Sequence, residues 1–203
     1  ALPIFGTGAD VEIAGAPAFA QRITYVGEFG FELYVSEAHA TAIWDELLER
    51  GAPHGIRVCG YRALDGLRME KGYRYIGTDL TPSDTPDQAG LAFCARKEAD
   101  YIGRDALVAL RAEGLATRIR TLAIGEGGWL PVYGGEAVSL DGAVVSRVRS
   151  AAYGYTVDRM LAYAYLPVDV PEGATVLVET LDGEAPAVVT ADRLVDPDGR
   201  KLR

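Results

Sequence analysis

The chain is short of sulfur, of histidine and of positive charge. Two cysteines and two histidines in 203 residues offer no cluster with metal-ligand spacing. Cys59 and Cys94 lie far apart with no histidine cluster beside either, so both are expected as buried, reduced thiols in a cytoplasmic protein. Twenty Lys and Arg against 29 Asp and Glu leave a net charge of −9. Neither a nucleic-acid backbone nor an anionic membrane would be attracted to such a chain. Apolar runs such as Met160 to Leu166 fall far below the ~20 residues of a membrane span. No charged start followed by an apolar stretch reads as a signal peptide. A nucleotide-binding strand–Gly-x-Gly-x-x-Gly–helix unit is also missing. Gly6-Thr7-Gly8 runs into Ala9-Asp10-Val11 with no third glycine.

What is present suits a soluble globular protein: 49% of residues are hydrophobic and 24% charged. The length fits one large domain or two small ones. Helices are predicted from Ser36, a good N-cap, to Gly51, from Tyr61 to Lys71 before Gly72, and from Arg104 to Ala112. In the first, Ala40, Ile43, Trp44, Leu47 and Leu48 form one apolar face. In the second, Gly66 costs stability relative to alanine, which points to a close approach by a backbone or a ligand. Helical periodicity vanishes after about Arg118. Thr121–Ile124, Ala143–Val148, Met160–Leu166, Thr175–Leu181 and Ala187–Thr190 read as strands, with hairpin signals at Asp141-Gly142 and Asp182-Gly183. The expected architecture is α+β over residues 1–115 followed by a small antiparallel β-barrel over 116–203. The start, Ala1-Leu2-Pro3-Ile4-Phe5, has no initiator methionine and runs straight into structured-looking sequence. A piece of a longer polypeptide is expected.

The most informative segment runs from Arg22 to Val35. Alternating apolar and polar residues around Gly27 and Gly30 predict two short strands and a tight turn, with Tyr25 opposite Glu32. Cross-strand partners share a sheet face with Cβ atoms roughly 5 Å apart. A carboxylate beside a phenol suits a flat heterocycle with an amidine-like edge, because the acid accepts two parallel N–H bonds while the ring packs on the face. An exposed strand pair with no ligand shows the same spacing.

Tyr25-Val26-Gly27-Glu28-Phe29-Gly30-Phe31-Glu32 resembles the Tyr-Thr-Gly-Glu-x-Gly-x-Glu signature of the glycine-cleavage T-protein (aminomethyltransferase) family. Further matches follow in order. Leu67-Arg68-Met69-Glu70-Lys71-Gly72-Tyr73-Arg74, then Asp79 with Pro86 and Ala89-Gly90-Leu91, and Ile102-Gly103-Arg104-Asp105-Ala106-Leu107 are similar to the folate-binding C-terminal half of sarcosine and dimethylglycine dehydrogenases. So are Ser150–Tyr155 and Asp196–Arg200. The resemblance implies an aminomethyltransferase-type folate-binding domain followed by a barrel. It implies tetrahydrofolate as cofactor, with Tyr25 and Glu32 lining its pocket and Glu28 a turn residue. It also implies FAD on an absent N-terminal domain of the same polypeptide, and capture of a one-carbon unit as 5,10-methylenetetrahydrofolate. The family's assisting aspartate lies upstream of residue 1, so no catalytic residue is assigned.

The family's folate-contacting arginine has no direct counterpart here. Leu64 stands before Asp65, and Arg62 is two residues away, about 200° round the helix. Arg62 is therefore a candidate either for folate or for an exposed pair with Asp65. Arg62, Arg68 and Arg74 are candidates for the anionic folate tail. Trp129, Tyr133 and Tyr153 would either wall the cleft between domains or pack at the barrel end. With half a domain missing, exposed apolar surface would favour self-association. Two other readings stay open: a fragment of a free-standing aminomethyltransferase, and a non-catalytic scaffold relative.

Overall fold

The structure, a computed structural model, describes residues 6–95 and 99–202. Ala1 to Phe5, expected to run directly into structure, lie outside the described residues. The chain forms two compact units. One extends to Leu64 and takes in the C-terminal residues from Asp198; the other is Asp65–Pro197. The division falls inside a helix, earlier than the change of element type near residue 116.

In the first unit, β1 (Gly8–Ile13), β2 (Ala16–Gln21) and β3 (Glu32–Val35) form an antiparallel sheet in that order. Ala14 and Gly15 both take positive φ, 54° and 73°, which is the geometry of a two-residue hairpin turn matched to strand twist. It sets Ile13 opposite Ala16. One face of β2 buries Ala16, Ala18 and Ala20, as period-2 alternation requires. Helix α1 (Glu37–Gly51) follows Ser36 and passes into a short 3-10 turn, Ala52–His54. Gly55, with φ 74°, closes that turn, so Gly51 is not the terminator expected from the sequence. Only Ile43 of the apolar stripe is buried, and Trp44 is half exposed.

The second unit is organised by a closed barrel. Its strands are β4 (Thr117–Ile124), β5 (Ala137–Leu140), β6 (Ala143–Gly154), β7 (Arg159–Pro167), β8 (Thr175–Thr180) and β9 (Gly183–Thr190), in the order β4-β7-β6-β5-β8-β9. Closure pairs β4 with both β7 and β9, so neither is left as an edge. The apolar run of β7 serves two cores. Met160, Ala162, Ala164 and Leu166 face the barrel interior, while Leu161, Tyr163 and Tyr165 pack outward with Met69 and Ile119. Asp141-Gly142 makes the expected β5–β6 turn, with φ 51° and 80°. The β8–β9 turn is displaced by one residue: Leu181 and Asp182 form the loop, and Gly183 pairs with Thr180.

Helix α2 (Tyr61–Glu70) and helix α3 (Arg104–Glu113) precede the barrel in sequence. The second half of α2 lies against β6, and Gly66 is what permits the approach: a Cβ there would sit 2.6 Å from the Tyr153 carbonyl oxygen. The neighbour is backbone rather than ligand. Cys59 and Cys94, expected inside, are both exposed. Cys59 falls in the irregular link before α2 and Cys94 in a 3-10 turn, Ala92–Cys94.

Candidate functional site

The predicted hairpin around Gly27 does not form. Residues 22–31 make a wide connection between β2 and β3, and the register sets Gln21 opposite Glu32 and Phe19 opposite Tyr34. Tyr25 lies in a bend, half-buried, and is not the cross-strand partner of Glu32. The physical reason is that β2 already offers Glu32–Val35 a full ladder. The loop residues satisfy one another locally instead. The Phe29 and Phe31 rings meet edge-to-face with centroids 5.5 Å apart, and the Arg22 guanidinium lies 4.5 Å over Phe29. Gly27, at φ 76°, allows the chain to turn back.

A phenol does meet the Glu32 carboxylate, but from another residue. Tyr34 Oη donates to Glu32 Oε2 at 2.7 Å. Residues two apart on a strand share a face, so the pair is built into β3 itself. That hydrogen bond is the main cause of a raised Tyr34 pKa, followed by desolvation and the carboxylate charge. Phe19 adds a second ring, 6.1 Å from that of Tyr34, and its own ring covers Gly8, where a Cβ would be 2.2 Å away. Gly8 is thus explained by packing. Gln21, Glu32, Phe19 and Tyr34 share one sheet face, and Glu32, Phe19 and Tyr34 are exposed on it. The face presents two aromatic rings, one acid and one amide. Neither Tyr34 nor Phe19 was singled out from sequence, although the i, i+2 spacing of Tyr34 and Glu32 was there to be read.

The three arginines separate clearly. Arg62 is exposed on the first turn of α2. It does not form the expected pair with Asp65, whose Oδ1 accepts from Arg68 Nε at 3.1 Å. Arg68 is 3% exposed and also donates to the Tyr73 carbonyl and, at 2.5 Å, to fully buried Asp79. Arg74 pairs with Asp192 at 3.3 Å and lies 4.1 Å over the Tyr163 ring. Arg68 and Arg74 are withdrawn as binders of a folate tail, because their guanidinium groups are committed inside the second unit.

The segment Leu67–Arg74 as a whole is a fastening. Asp79 accepts from Arg68, from the Tyr75 amide at 2.7 Å and from Ser150 Oγ at 2.5 Å, while its carbonyl takes the Tyr165 hydroxyl. Buried Glu70 accepts from the Thr156 and Val157 amides. Lys71 reaches Asp196 at 2.7 Å. Tyr163, wholly buried, donates to the Met69 and Tyr73 carbonyls, and burial pushes its pKa up to about 12 against the pull of Arg74 and Arg68. A folded-state value above the unfolded one contributes stability below pH 10 that is lost as pH rises toward 12. Tyr163→Phe should therefore flatten the alkaline fall in unfolding free energy between pH 10 and 12, measured by urea titration. At neutral pH it should cost about 1 kcal/mol, since both carbonyls keep other donors.

A separate cavity of about 440 Å³ in the second unit is lined by Pro82, Pro86, Cys94, Tyr101, Ile102 and Leu107, among others. It contains none of Tyr25, Glu32 and Arg62. Trp129 and Tyr133 pair edge-to-face in the loop before β5, and Tyr153 packs on Tyr155 and donates to Asp158.

A sheet-and-helix segment ahead of a closed six-stranded antiparallel barrel defines an aminomethyltransferase-type fold. The chain matches the family descriptions "GCVT N-terminal domain" over residues 3–99 and "Glycine cleavage T-protein C-terminal barrel domain" over 118–196, and it belongs to the glycine-cleavage T-protein family. It is 36% identical to mitochondrial sarcosine dehydrogenase of Mus musculus over 98% of this chain and 22% of that protein. To mitochondrial dimethylglycine dehydrogenase of Homo sapiens the identity is 35%, over 95% and 23%. The chain thus spans less than a quarter of the length of these curated relatives. The crystal structure of glycine cleavage system aminomethyltransferase T from Bartonella henselae superposes with a TM-score of 0.83 at 25% identity, covering 99% of this chain and 54% of that one.

Proposed function

We propose that this chain is the tetrahydrofolate-binding, one-carbon-capture part of an FAD-dependent N-methyl amine dehydrogenase or oxidase of the sarcosine and dimethylglycine type, forming 5,10-methylenetetrahydrofolate. The observation that carries this reading is the exposed Glu32 carboxylate on a sheet face beside the Tyr34 and Phe19 rings. Such a face fits a pterin: a carboxylate takes two N–H bonds from an amidine-like edge, and aromatic rings take the heterocycle's surface. Bound folate supplies the nitrogens that accept the one-carbon unit. The chain's own task is to hold and orient it. Glu32 grips the pterin edge, and Tyr25 approaches from the 22–31 loop. Arg62, with Arg68 and Arg74 buried, is the cation offered to the anionic tail.

FAD, in this reading, belongs to an N-terminal domain of the same polypeptide, and the share of the relatives' length covered here supports that arrangement. Half-exposed Trp44 on α1 is a surface such a partner would cover, and one through which the isolated chain would self-associate. A second reading, part of a free-standing aminomethyltransferase, is favoured by the likeness to the Bartonella protein. The parent reading frame separates the two, by encoding an FAD-binding fold or only about one further domain.

The test is calorimetric titration of tetrahydrofolate into this chain and into its full-length parent. Saturable binding is expected, weakened by about 1.5–3 kcal/mol in Glu32→Gln, the loss typical of a charged hydrogen bond. An unchanged dissociation constant in that variant contradicts the assignment.

A further inference from the structure

We propose that the C-terminal residues Asp198–Leu202 are a strap that positions the 22–31 loop, with Arg22, Glu28 and Lys201 as positioning residues. The inference rests on the folate reading for its function but on independent contacts for its geometry. After the barrel, the chain returns to the first unit for its last residues. There it makes a tight turn at Gly199, φ 67°, and ends in a 3-10 turn, Arg200–Leu202. Two contacts, on neighbouring residues, tie this turn to the loop. Lys201 Nζ donates to Glu28 Oε1 at 2.9 Å. Arg22 Nη2 donates to the Leu202 carbonyl at 3.1 Å.

Arg22 is the hub of the arrangement. Its backbone is fixed at the end of β2 by reciprocal bonds, its amide to the Thr7 carbonyl and its carbonyl to the Gly6 amide, both 2.9 Å. Its guanidinium then spans from the tail carbonyl to the face of Phe29, and its Nε is buried. Phe29 stacks on Phe31, the residue before Glu32. Tail, Arg22, Phe29 and Phe31 therefore form one continuous series of contacts ending at the start of β3. Glu28, which the sequence offers only as a turn residue, holds the opposite side of the same loop. A ten-residue connection without a ladder of its own is held by side chains, and two of them, Arg22 and Glu28, reach the C-terminal residues.

The Lys201–Glu28 pair is half exposed on both sides. An ion pair of that kind contributes modestly, so its removal shifts the loop's opening without unfolding the unit. The experiment is amide hydrogen exchange of residues 24–31 in the full chain, compared for wild type, Lys201→Glu, Glu28→Lys and the double swap. The single variants should exchange about two- to five-fold faster in this segment, with barrel amides unchanged. The double swap should restore the wild-type rate. Deleting residues 200–203 should have a larger effect than either single change. Unchanged exchange in the single variants, or no recovery in the double swap, overturns the proposal. Tetrahydrofolate titration of the same four proteins keeps the two ideas apart. If exchange responds as expected but wild type binds no folate, the strap stands and the functional reading fails. If folate binds equally to all four while exchange does not change, the strap fails and the reading stands.

Discussion

Asp79→Ala should cost the second unit about 3–5 kcal/mol of stability, a large share of the ~5–15 kcal/mol that holds an ordinary domain. Such a loss is typical of removing one partner of a buried ion pair, because the remaining charge has no replacement for its lost solvent. Asp79 is fully buried, and Arg68 opposite it is 3% exposed. The carboxylate also collects the Tyr75 amide and the Ser150 hydroxyl, so truncation strands two neutral donors and leaves Arg68 with only the partly exposed Asp65 carboxylate, at 3.1 Å, as counter-ion. Urea unfolding followed by tryptophan fluorescence and far-ultraviolet circular dichroism measures the loss. Ser150→Ala, which removes one neutral donor and leaves the ion pair, should cost only about 1 kcal/mol. Similar losses in both variants would mean that the Arg68–Asp79 pair is not the fastening described.

Gly72→Ala should be the next most damaging change, at about 2–5 kcal/mol. Two separate penalties act there. The residue holds φ 76°, a left-handed conformation that costs an L-residue roughly 1–2 kcal/mol. A Cβ would also lie 2.3 Å from the Asp192 carbonyl oxygen, and backbone cannot rotate away as a side chain would, so overpacking adds about 1–3 kcal/mol. Gly103→Ala gives the control. It has a similar φ, 87°, with nothing within 4 Å of the added methyl group, so only the conformational penalty applies. If the two variants unfold at the same urea concentration, the close approach at Asp192 is not tight.

The barrel was legible because its signals are local. Asp141-Gly142 carries the positive φ values of its turn, and Met160–Leu166 is apolar at every step because β7 is buried on both faces. β2 is hidden in the sequence for the complementary reason. Ala16-Pro17-Ala18-Phe19-Ala20-Gln21 has no β-branched residue, and its turn is Ala14-Gly15 rather than an Asn-Gly or Asp-Gly pair. With no local signal for β2, Arg22–Val26 is the nearest alternating partner for β3, which places Tyr25 opposite Glu32 in the sequence reading. The true ladder lies a few residues earlier and brings Tyr34 to the acid instead.

Charge is equally silent about long-range pairing. Arg62, Arg68 and Arg74 are equal candidates for an anionic tail in the sequence, because each is a cation on an acidic chain. The real partners of Arg68 and Arg74, Asp79 and Asp192, are 11 and 118 residues away in sequence, and no local pattern announces such pairs. Gly66 is legible as a point of close approach, since glycine in a helix interior is expensive unless something occupies the space of its missing Cβ. Which strand came close was a matter of tertiary packing alone.

The folate account is tested most directly by a crystal structure of the full-length parent bound to tetrahydrofolate. The pterin should lie with its amidine-like edge against the Glu32 carboxylate and its ring plane against Tyr34 and Phe19, with Tyr25 closing from the loop. Density for the pterin in the cavity formed by Pro86, Tyr101 and Leu107, or anywhere that leaves Glu32 bonded only to Tyr34, would contradict it.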